Sequence, residues 1–182
     1  MRSIFISMIC IIVLSFQAIG QNVGQKGDTL VNYIDINGFK QGHWKKVYKN
    51  GNIAYEGYFK DNKPVGNFKR YFEKGGLSTD LNYNEITQIC HAKLFHQNKK
   101  IAATGNYFQQ KKDSIWNYYT SDGSLIAKES YQGGLKHGKF YKYFPDGKIA
   151  AEETYENDML HGIWRRFYPN GKPRIETMYR NN

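Results

Sequence analysis

Six aromatic residues recur at one fixed interval. Phe59, Tyr83, Tyr107, Tyr131, Tyr155 and Tyr179 stand 24 residues apart. A period of this size marks a repeat array, in which each copy is too small to bury its apolar face alone and must stack on its neighbours. The phrase is clearest in residues 138–155 (GKFYKYFPDGKIAAEETY) and 162–179 (GIWRRFYPNGKPRIETMY). Each copy opens on Gly, places an aromatic two residues on, reaches an aromatic pair, turns through Pro-Asp-Gly or Pro-Asn-Gly and closes on Tyr.

The phrase extends back along the chain. The opening aromatic is read at Trp44, Phe68, His91, Trp116, Phe140 and Trp164, and the turn residue at Gly51, Gly75, Asn98, Gly123, Gly147 and Gly171. Each unit reads as a β-hairpin. A run such as HWKKVYK is rich in β-formers, Asn50-Gly51 supplies a residue that reaches positive φ cheaply, and NIAYEGYF returns. Pro145 and Pro169 suit a type I turn followed by Gly. Polar stretches at 60–65, 132–137 and 156–161 read as loops between hairpins. The fold expected is all-β: an elongated antiparallel meander of about six tandem hairpins of 24 residues. Strand parity puts Trp44 with Tyr48, Phe68 with Phe72, Phe140 with Phe144 and Trp164 with Tyr168 on one face, read as core.

A leader is expected before the array. Met1-Arg2 and the apolar run IFISMICIIVLSF, followed by Ala18-Ile19-Gly20, read as a signal peptide over residues 1–20. A membrane anchor is the alternative, but the run is shorter than the roughly 20 apolar residues of a spanning helix. Cys10 has no lipidation-type spacing around it. Residues 21–31 read as a flexible linker and 32–182 as the array, with residues 33–38 as a capping strand. The destination implied is the periplasm, the cell surface or the medium. Beyond the leader one cysteine remains, Cys90, read as a buried structural thiol.

These residues resemble the MORN-repeat variant of bacterial proteins often labelled YwqK-type antitoxins. The resemblance is carried by Gly42, Trp44, Tyr48 and Gly51, by Gly138, Phe140, Phe144 and Gly147, and by Gly162, Trp164, Tyr168 and Gly171. It implies a non-enzymatic β-hairpin array used for protein contacts or membrane-proximal scaffolding. The antitoxin label implies a protein that neutralises one cognate toxin.

The formal charge is +10 at pH 7, which favours anionic partners such as lipid headgroups, cell-wall polymers or acidic proteins. The leader argues against nucleic acid. A basic row recurs two residues after the opening aromatic: Lys46, Arg70, Lys93, Lys142 and Arg166, broken by Tyr118. It reads as a binding stripe or, more plainly, as charge that protects exposed strands from aggregation. The third unit is degenerate, with no opening Gly, and Ser114 replaces the opening Gly of the fourth. Cys90, His91 and His96 cluster without a zinc-type spacing and are read as repeat drift. Glu152 and Glu153 are adjacent, so they face opposite ways on a strand and cannot act as paired carboxylates. No phosphate loop or nucleophile elbow is present, so neither catalysis nor a cofactor is expected. A sugar-processing enzyme would need a carboxylate pair that the sequence does not offer. The expected task is an exported scaffold that contacts a protein or an envelope component, with self-association open and a cognate toxin as the alternative partner.

Overall fold

The computed structural model describes residues 25–26 and 29–180. The expected leader, residues 1–20, lies outside the described residues, as does most of the expected linker. Two short strands, β1 (Gln25–Lys26) and β2 (Thr29–Leu30), pair with each other. The array then begins at β3 (Tyr33–Ile34), with the Asn32 amide donating to the His43 carbonyl at 2.9 Å.

Strands follow in hairpins: β4 (Lys40–Val47) and β5 (Ile53–Lys60), β6 (Lys63–Tyr71) and β7 (Leu77–Tyr83), β8 (Ile89–Phe95) and β9 (Ile101–Phe108). Next come β10 (Lys111–Tyr119) and β11 (Leu125–Gln132), then β12 (Leu135–Lys136), β13 (Gly138–Tyr143) and β14 (Ile149–Glu156). The last are β15 (Met159–Leu160), β16 (Gly162–Phe167) and β17 (Pro173–Tyr179). All from β3 to β17 belong to one 15-stranded sheet in which successive long strands are sheet neighbours, with β12 and β13 both on β11 and β15 and β16 both on β14. The expected antiparallel meander of tandem hairpins is the fold, and the described residues hold no helix.

Of the two kinds of connection, the Gly-bearing turns follow the sequence reading in five units, and the links between hairpins differ from it. At the turns carrying Gly, Tyr48 and Asn52 exchange a 2.8 Å amide–carbonyl bond and the Gly51 amide donates to the Tyr48 carbonyl at 3.0 Å. Of these turn residues only Gly51 has positive φ, so Lys49-Asn50-Gly51 forms a three-residue loop with a bulge. The same bonds recur at Phe72, His96, Thr120, Phe144 and Tyr168. The third turn is therefore in phase, and its left-handed residue is Lys99 (φ 69°), not Asn98. Asn98 instead matches Asn50: their side-chain amides donate to the Ser121 and Glu73 carbonyls.

The stretches read as loops are mostly strand. The chain reverses in two residues, Asp61-Asn62, Gln109-Gln110, Gly133-Gly134 and Asn157-Asp158, each pair with both φ positive. Just beyond each reversal the strand carries two extra residues. Gly57 faces Phe68 and Tyr58 faces Val65, which leaves Gly66 and Asn67 as a bulge. Between β7 and β8 the pairing has no such shift, and the connection lengthens to Asn84–Gln88. The two residues move from strand to loop, so the 24-residue phase survives.

Both edges are laced. Tyr48 donates through Oη to the Tyr71 carbonyl at 2.9 Å, and His96 Nε2 meets the Tyr119 carbonyl at 2.9 Å. The residues four after the opening position thus stand at the turns, and Tyr48 and His96 hold the next hairpin. On the opposite edge the amides of Asn62, Gly134 and Asp158 donate to the carbonyls of Lys40, Lys112 and Lys136.

Two measurements follow. At about 4.8 Å per strand the path from β3 to β17 runs about 58 Å, so small-angle scattering should give a radius of gyration near 19 Å, against about 15 Å for a globule of this length. Lys99→Gly removes a left-handed lysine and should raise stability by up to about 1 kcal/mol in thermal denaturation.

Candidate interaction surface

Directly paired residues in an antiparallel sheet share a face. Trp44, Gly57, Phe68, Leu81, Ala92 and Gly105 follow one another across the strands, continued by Trp116, Glu129, Phe140, Glu153, Trp164 and Thr177. This face carries the buried residues Phe68, Leu81, Cys90, Ala92, Ala103, Trp116, Phe140, Ala151 and Glu153. The opposite face is polar, with a line of ion pairs from Lys139 through Glu152 and Arg165 to Glu176. Glu152 and Glu153 do face opposite ways.

Rings build the apolar side. Trp44 packs edge-on to Phe59, Phe59 to Phe68, Tyr107 to Trp116, Tyr131 to Phe140, Phe140 to Tyr155, and Trp164 to Tyr179. Two glycines absent from the sequence reading make room for them. A Cβ on Gly57 would meet Phe68 Cδ2 at 2.3 Å, and one on Gly105 would meet Trp116 Cδ2 at 2.2 Å. The 24-residue phase applied to position 57 would have exposed both.

A row of lysines, also unread in the sequence, caps these rings. Lys40 Nζ lies over Trp44 and Phe59, Lys112 Nζ over Trp116, Tyr118 and Tyr131, and Lys136 Nζ over Phe140 and Tyr155. Each such contact is worth roughly 0.5–1 kcal/mol at a partly exposed site.

The basic stripe is split. Lys46, Arg70, Lys142 and Arg166 stand on the ring face, since Arg70 pairs with Tyr55 and Thr79 and Arg166 with Ala151 and Ile175. Lys93 does not join them. It pairs with Asp80 and Thr104 on the polar face, and the in-phase residue is Leu94. In the same unit the opening position is Ala92, not His91; the exposed His91 bonds Asn106 Oδ1 at 2.8 Å on the polar face. Cys90 holds the opening-glycine position of this unit. Cys90 and His91 therefore point to opposite sides, and His96 serves a turn.

Half of the stripe is neutralised. Glu153 accepts from Arg166 at 3.4 Å and from Tyr155 Oη at 2.9 Å, with Lys142 Nζ at 3.8 Å. Glu129 accepts from Tyr131 Oη at 2.7 Å. The matching positions near Lys46 and Arg70 are Gly57 and Leu81, and these two cations form no salt bridge among the described residues. Arg70 is exposed and lies 6.0 Å from the Phe68 ring centre.

Three segments match the MORN repeat variant. They are residues 40–61, 136–157 and 160–181. Their starts differ by whole multiples of 24, so the matches fall on the first, fifth and sixth units of one array in phase. No curated protein matches the chain. MORN repeats form a non-catalytic family and commonly bind proteins or membranes.

The tyrosines of this sheet titrate late. Burial, with a hydrogen bond to Glu153, pushes Tyr155 up to about 12. Burial, with a hydrogen bond to Glu56, does the same for Tyr71, and burial beside the Cys90 thiol does so for Tyr83. Tyr118 and Tyr131, beside Glu129, are raised as well, burial being the first cause. These folded values exceed the unfolded value of about 10. The stabilisation is whole below pH about 10 and is lost as pH rises through the folded values. The melting temperature should hold up to about pH 10 and fall steeply towards 12. A melting temperature unchanged between about pH 10 and 12 would contradict the buried hydroxyl–carboxylate pairs.

Proposed function

We propose that this chain is an exported, non-enzymatic scaffold that binds another protein or an envelope component through the ring face of its sheet. One observation carries the reading. The ring face is a single layer with no second sheet or helix over it among the described residues, although it holds most of the chain's buried apolar side chains. Sheets normally bury such a face against a second layer. Here side chains of the sheet itself give partial cover, and a partner would complete it. Lys46 and Arg70 add an uncompensated positive end that favours an acidic partner over a basic one. The positive charge also suits anionic lipid or wall polymer, and a second copy of the chain is a further candidate. The toxin-neutralising role implied by the resemblance would use the same surface against one dedicated protein.

In-cell crosslinking of the protein in its own host, followed by capture and mass spectrometry, tests this reading. A stoichiometric protein partner is expected, crosslinked through side chains of the ring face. A partner whose toxicity the chain suppresses would make it an immunity protein. Recovery of lipid or wall polymer alone would make it an envelope scaffold. Crosslinks confined to the polar face would overturn the assignment of the surface.

A further inference from the structure

The ring ladder has one gap. Phe59 is flanked by Trp44 and Phe68, and Phe140 by Tyr131 and Tyr155. Tyr83 and Tyr107 close the second and third units, and the ring that would stand between them belongs to position 92. Position 92 is alanine. The capping cation is missing at the same place: where Lys40, Lys112 and Lys136 cover rings elsewhere, the in-phase residues are Pro64 and Gln88. A hollow of about 940 Å³ opens on the ring face beside this position; Ala92 itself is 2% exposed and does not line it. Leu81, Cys90 and Leu94 line it together with Tyr83 and Tyr107, and Arg70 stands among the lining residues.

Its chemistry is asymmetric. Leucines, tyrosine rings and a buried thiol supply its apolar part, and Lys60, Asp61, Lys63 and Glu85 join Arg70 as charged lining residues. Arg70 is a guanidinium in a row whose later members, Lys142 and Arg166, share the Glu153 carboxylate, while Arg70 has Leu81 where they have Glu153. The site therefore lacks the opening ring of the other units and the carboxylate that Lys142 and Arg166 share.

We propose that this hollow docks an aromatic side chain of a partner polypeptide with a carboxylate one residue away, the ring between Tyr83 and Tyr107 and the carboxylate on Arg70. A polypeptide fits better than a free aromatic acid. The hollow is larger than one ring requires, and its rim carries the amides of Gln88, Gln109 and Gln110, which suit a passing backbone. The proposal rests on the scaffold reading and names the partner chemistry of its ring face.

Fluorescence anisotropy of a labelled Ser-Gly-Trp-Glu-Gly-Ser peptide on the purified protein tests it. Saturable binding is expected, about tenfold weaker with Arg70→Gln, because the exposed arginine contributes a charge-assisted bond. Trp→Ala in the peptide should abolish binding, as should Thr79→Trp, which places a ring in the hollow from β7. If Thr79→Trp fails to fold, Arg70→Gln and the peptide variants still decide. Equal affinity for all variants, or no saturable binding to the wild type, overturns the proposal. Indole-3-acetate binding as tightly as the peptide overturns the polypeptide assignment. Host capture separates the two readings: a partner held equally by wild type, Arg70→Gln and Thr79→Trp removes the hollow and leaves the scaffold standing.

Discussion

A sheet one layer thick has no opposing layer to shield its apolar face, so the contact between the opening ring and the closing ring carries the fold. Across most of the array an aromatic from the first strand of a hairpin meets a Phe or Tyr near the end of a second strand. Ring pairs of this kind contribute about 0.5–1.5 kcal/mol beyond the area they bury. Glycine at 57 and 105 lets Phe68 and Trp116 lie against the backbone, because a side chain there would occupy the ring's own volume. Lysine stems from the bulged strands close over the rings and keep their ammonium groups in water. Rings, glycines and lysines together act as the absent second layer.

The same constraint sets the edges. A long sheet of weakly covered hairpins would splay unless each hairpin were tied to the next. Tyr48 and His96 tie one edge through carbonyls of the following hairpin, and the two-residue turns tie the other. Strand pairing likewise lets residues with little taste for positive φ adopt it. Gln109-Gln110 form a turn of the kind that usually asks for Asn or Gly. The turn is placed by pairing on both sides, so tertiary context overrides local preference.

That override marks how far the sequence could be read. The period, the hairpins, the meander and the role of Gly51, Gly75, Gly123, Gly147 and Gly171 are legible, because spacing and left-handed glycines are local signals. The third unit misleads because its opening residues are atypical. His91 and Asn98 look like slipped repeat residues, yet the phase runs through Ala92 and Lys99, and the slip also carries Lys93 into a stripe it does not join. The reason is the bulge. Elsewhere two extra residues sit inside the strand, and here they sit in the loop, so the motif looks displaced although the count is unchanged. The lysine caps were illegible for another reason. Lys40, Lys112 and Lys136 are ordinary surface lysines in composition, and only the sheet brings their stems across the rings.

The stripe shows how the same face divides along its length. Towards the C-terminal end a glutamate on the neighbouring strand turns the cations into internal structure, since Glu153 is 8% exposed and holds Lys142, Arg166 and Tyr155 around it. A buried carboxylate left without those partners would be strongly destabilising, so these cations are committed to the fold. Lys46 and Arg70 meet glycine and leucine instead, and no carboxylate among the described residues forms a salt bridge with them. Charge without a carboxylate partner therefore lies in the N-terminal half of the sheet, where the ring ladder is also broken. In an array built by repetition, the place that departs from the repeat in ring, cap, carboxylate and loop together is where the chain differs from a uniform scaffold.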